Sequence, residues 1–88
     1  MTMMGADVDA LDSLARLFQC EAQKICASVQ AINSQVHSVW WHGPDADRFR
    51  CDWDGRFRSQ LNHVVAQLED EARNAVRQAA EQRNVSSH

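Results

Sequence analysis

Eighty-eight residues with a formal net charge of -3 leave room for one small domain, since single domains usually run to roughly 100 to 150 residues. Three glycines, one proline and no tyrosine, against plentiful alanine, glutamine, arginine and aspartate, favour helix over sheet. Basic and acidic residues are interleaved rather than sorted onto separate faces, which argues against a phosphate-binding surface and a nucleic-acid partner.

The chain opens Met1-Thr2-Met3-Met4-Gly5-Ala6, with no basic n-region, no continuous apolar stretch and no small-residue cleavage site, so no cleavable signal peptide is expected. Nor is any stretch near the roughly 18 apolar residues of a membrane span. A soluble chain without membrane insertion is the expectation, and export would need a signal-peptide-independent route.

From Asp7 onward a helical period sets in. Leu11, Leu14, Phe18, Ala22, Ile25, Val29, Ile32, Val36 and Val39 recur at steps of three or four, a stripe about 120° wide at ~100° per residue. Ala15, Cys26 and Trp40 extend one flank. Asp7 or Asp9 suits the N-cap, and helix one is predicted over about 8–41. Gly43 is positioned to close it in the left-handed conformation. Pro44 suits the first turn of the next helix, where its missing N–H is not needed. The turn is thus placed at 41–44.

The second half repeats the pattern through Ala46, Phe49, Trp53, Phe57, Leu61, Val64, Leu68, Ala72, Ala75 and Ala79, which predicts helix two over about 45–80. Gly55 lies inside it and reads as a point of close approach rather than a break. Residues 81–88 carry little apolar anchor and read as a flexible tail. The short connection makes the helices antiparallel neighbours: an all-α, single-domain helical hairpin. Two helices touching along one seam bury too little to hold themselves together. Stripes wider than a seam also leave apolar flanks uncovered. A second hairpin would cover them, so dimerisation into a four-helix bundle is expected. The interface or core is assigned to Leu11, Leu14, Phe18, Ile25, Val29, Ile32, Val36, Trp40, Phe49, Trp53, Phe57, Leu61, Val64 and Leu68.

Residue types that carry chemistry are present without the spacing that chemistry requires. His37, His42 and Cys51 match no zinc pattern. Cys51 and His63 lie about 18 Å apart along one helix, too far to form a nucleophile and base. Cys20, Cys26 and Cys51 fit no ligand or redox spacing, and the hairpin keeps Cys51 beyond the ~7 Å reach of a disulfide, so three free thiols are expected. Glu69, Asp70 and Glu71 face different sides of a helix. With no carboxylate pair, phosphate loop or serine elbow, no enzymatic activity, cofactor or metal is expected.

Trp40 and Trp53 continue the stripes and read as core, whereas Trp41 falls just off, beside the turn, where a partner's helix end is its expected cover. Trp41-His42-Gly43 stands at the chain's midpoint, and Ala46, Phe49 and Trp53 continue it as G-x-x-A-x-x-F-x-x-x-W. In this the chain resembles the W-x-G proteins, the early secreted antigenic target-like substrates of bacterial type VII (ESX) secretion, along nearly its whole length. That resemblance implies a non-enzymatic hairpin that pairs antiparallel with a related hairpin protein and is exported folded from the cytoplasm without a cleavable signal peptide. It further implies that Trp41 and Gly43 form half of an export signal read by a membrane ATPase. The other half, Y-x-x-x-D/E near the C-terminus, requires a tyrosine the chain does not have. A partner could supply it, another signal could serve, or the chain could stay inside the cell as a helical adaptor unrelated to secretion. The first account is favoured, and with it a heterodimer over a homodimer.

Overall fold

The computed structural model describes residues 7–86. Residues 1–6, which make up most of the N-terminal stretch expected to lack a signal peptide, and the last two residues of the expected tail lie outside them. The described chain is a helical hairpin, drawn out to 67 × 16 × 15 Å. Helix α1 covers Val8–Ser38 and α2 covers Pro44–Asp52. A single π-helical turn over Trp53–Phe57 then leads without a break into α3, Arg58–Ser86.

Local chemistry accounts for the start of α1. Asp7 Oδ1 accepts from the Asp9 and Ala10 N–H groups at 2.9 and 3.3 Å, satisfying two donors that have no partner within the first turn. The end of α1 differs from expectation. The helix stops at Ser38, three residues before the predicted boundary, because Val39 turns extended (φ -67°, ψ 136°). Gly43 does not close α1. It is the N-cap of α2, at φ 121° and ψ 174°, a region open essentially to glycine alone. Residues 39–43 therefore form an irregular strap between the helices.

α1 packs along α3, while α2 stands beyond the end of α1. At the far end the expected tail is helical as far as Ser86, and the Arg83 guanidinium donates to the Asp12 carboxylate across the two helices. Running side by side with α1 gives this last segment the tertiary support that its own sequence lacks.

The line of closest contact is built from small side chains. Ala15 and Ala22 of α1 and Ala72, Ala75 and Ala79 of α3 are buried, and nearer the strap Val29, Val36 and Trp53 take over. Leu11, Phe18, Ile25, Leu61 and Leu68, expected in the core or interface, are only half-buried. Leu14, Ile32, Phe49, Phe57 and Val64 are exposed. The physical reason is geometric: alanine lets two helices approach closely, and larger side chains on either flank are then pushed out of the seam.

The π turn was not foreseen. Its backbone bond runs from the Arg58 N–H to the Trp53 carbonyl, so one extra residue is accommodated and residue 58 comes to lie over residue 53. Both then reach the same acceptor: Trp53 Nε1 and Arg58 Nη1 donate to Asn33 Oδ1 at 2.9 and 3.0 Å. Gly55 sits mid-turn, and a Cβ there would meet nothing within 4 Å. The expected close approach at Gly55 is therefore absent.

Candidate functional site

The hairpin is a rod with two unlike sides. On the helical wheel Leu14, Leu17, Ile25 and Ile32 fall on one side of the Ala15–Ala22–Val29–Val36 line, whereas Gln19, Gln23, Cys26, Gln30 and Asn33 fall on the other. The polar side is lined by Gln19, Gln23, Glu69 and Arg73 in one half and by Cys26, Gln30, Asn33, Arg58 and Asn62 in the other. The apolar side opens into a groove of about 450 Å³ lined by Ile32, Phe49, Trp53, Phe57, Gln60, Leu61 and Val64. Six of these seven were named from periodicity, and the structure gathers them on one face.

The groove runs on into the strap. The Trp41 ring tilts against Phe49 with centroids 5.9 Å apart and remains 41% exposed. Its cover is thus in part its own hairpin. Trp40, expected in the stripe, is 85% exposed, since the helix that would have carried it inward ends two residues earlier. Its ring stands in a T-shaped arrangement with that of His42, at 5.1 Å and 81°. Uncovered tryptophan next to an uncovered apolar groove is a combination that marks protein-association surfaces.

Arg50 organises this end, and the sequence reading missed it. Its Nε donates to the Val36 carbonyl at 3.0 Å, Nη1 to Trp41 at 2.9 Å and Nη2 to Val39 at 3.1 Å. A helix C-terminus leaves carbonyls without intrahelical partners, and here a side chain from the following helix takes up the role that glycine was expected to play. The signal was available in principle: an arginine one position past the helix-two stripe can turn back toward the end of helix one. Periodicity alone gives no reason to choose it over its neighbours.

The groups weighed for chemistry are dispersed. His37 Nε2 contacts Asp54 Oδ1 at 2.9 Å, across to the π turn, while His42 lies against Trp40. Among the described residues, no group of three or more His, Cys, Asp or Glu side chains could hold a metal ion. Cys20 and Cys51 are exposed, Cys26 is half-buried, and all three are free thiols. The Lys24 ammonium has its pKa raised by the hydrogen bond and charge of Glu21, a surface pair. No described helix is long and apolar enough to cross a membrane.

No protein-family model matches the chain, no curated protein matches its sequence, and no solved structure matches its fold.

Proposed function

We propose that this chain acts by association, as a small non-enzymatic W-x-G-type protein: a substrate or co-secreted partner of a type VII secretion system that pairs with a related hairpin protein. The observation that carries the proposal is the uncovered apolar groove of Ile32, Phe49, Trp53, Phe57, Leu61 and Val64, continuous with Trp41 of the W-x-G segment.

The asymmetry of the two sides supports one partner hairpin rather than several. One side is apolar while the other is lined by glutamine, asparagine and arginine, so a single second layer covers what needs covering and gives a four-helix bundle. A heterodimer is favoured, because the missing tyrosine motif then resides on the partner. In that arrangement Trp41 and Gly43 form this chain's half of the signal read by the secretion ATPase, and the pair leaves the cytoplasm without a signal peptide.

Light scattering on the purified chain, alone and co-expressed with a W-x-G protein encoded nearby, tests the pairing. A 1:1 complex is expected, and a monomer indifferent to every such hairpin would overturn it. Trp41→Ala tests the signal: export is expected to fall further than thermal stability, because the ring lies outside the buried seam. Loss of both in equal measure would remove the case for a signal. An intracellular adaptor using the same groove is the alternative, favoured by one feature: the helix running to Ser86 carries no tyrosine. It predicts a stable complex that is retained in the cell whatever stands at position 41.

A further inference from the structure

We infer that Arg50 is the positioning residue of the W-x-G segment, holding Trp40 and Trp41 in a fixed presentation that the segment's own backbone does not maintain. Three carbonyls within six residues, those of Val36, Val39 and Trp41, converge on one guanidinium at 3.0, 3.1 and 2.9 Å. They belong to two different structures, the last turn of α1 and the irregular strap. One planar fork therefore fixes the angle between them.

Nothing local does this. Gly43 is the one described residue with positive φ, and it lies at the far end of the strap, as the N-cap of α2, so α1 has no left-handed cap. The other bonds at the junction, from the Val39 N–H and the Ser38 Oγ to the Gln35 carbonyl at 3.0 and 3.5 Å, close the last helical turn and do not reach residues 40–42. Trp40 sits between the pinned carbonyls of Val39 and Trp41. Its ring is held outward with little of its own packing to keep it there. Trp41 is held against Phe49, the neighbour of Arg50 itself. Lysine would not substitute, because an ammonium is a point charge and cannot span three acceptors in one plane.

The biological consequence rests on reading the strap as a recognition element, but the positioning role is testable apart from it. The full chain, labelled with 15N at its three indoles, gives one Nε1–H resonance per tryptophan. Trp53, bonded to Asn33 at 2.9 Å, is an internal reference for the folded hairpin. In Arg50→Gln the Trp40 and Trp41 signals are expected to move and broaden while Trp53 holds its place and helical circular dichroism is retained. Arg50→Lys is expected not to restore them. Unmoved Trp40 and Trp41 signals, restoration by lysine, or a Trp53 signal that shifts along with them would each overturn the inference. The last would make Arg50 a determinant of the whole fold. If the indoles respond as expected but Trp41→Ala protein is exported normally, the positioning role stands and the export reading falls.

Discussion

Truncating Phe49 separates what the hairpin needs from what its partner needs. An aromatic side chain presents roughly 150 to 250 Å² for burial, and Phe49 is 47% exposed, so on the order of 100 Å² of apolar surface remains open in the single chain. Covering that area by a second hairpin is worth about 2 kcal/mol at ~25 cal/mol per Å², once the methyl retained by alanine is allowed for. Phe49→Ala is therefore expected to weaken association about 30-fold, since ~1.4 kcal/mol is tenfold. In a self-paired complex both copies carry the change and the free-energy loss doubles. Within the hairpin the ring lines an open groove, so truncation leaves a wider groove rather than a closed cavity. The cost there is about 1 to 2 kcal/mol, below the ~3 to 5 kcal/mol of a fully enclosed phenylalanine. The assays are a dilution series by sedimentation for association and urea unfolding of the unpaired chain for stability. A loss above ~3 kcal/mol in the unpaired chain together with unchanged association would refute the reasoning. Phe49 would then be a core residue of the monomer and the groove would not be the contact surface.

Asn33→Ala removes the acceptor shared by Trp53 Nε1 and Arg58 and is expected to cost about 1 to 3 kcal/mol, because the Trp53 donor is left without its partner. Asn33→Asp, which keeps the oxygen, should cost less, and equal losses in urea unfolding would argue that the hydrogen bond is not what matters. The two described glycines should respond in opposite directions. Gly43→Ala forces a side chain into φ 121° and is expected to lower stability by about 1 to 3 kcal/mol. Gly55→Ala meets open space and is expected to raise stability by up to about 1 kcal/mol. A loss at Gly55 in thermal unfolding would mean that the π turn itself depends on glycine.

The hairpin was legible from residue spacing because helical periodicity is a local property. Two stripes at steps of three and four, an aspartate before the first and a Gly-Pro pair between them determine two helices and one reversal, whatever covers them. Asp7 capped α1 and Pro44 opened α2 as their chemistry requires. The face carrying Ile32, Phe49, Phe57, Leu61 and Val64 was identified for the same reason. Periodicity assigns a direction around the axis, and that direction survives into the structure.

What spacing could not determine were features that depend on which groups meet across the hairpin. An alanine seam drew the helices together and left larger side chains on the flanks, so residues of one stripe divided between seam and groove. Arg50, fourteen residues beyond the Val36 carbonyl it binds, ended α1 at Ser38 and left Trp40 outside. The Asn33 acceptor and the widened turn at Trp53–Phe57 arose together, and the contact between Asp12 and Arg83 tied down a segment that alone reads as loose. Each of these is a contact between distant positions. Its free energy exists only once the helices are side by side, which is why sequence determined the elements and tertiary structure decided where they end and what they leave exposed.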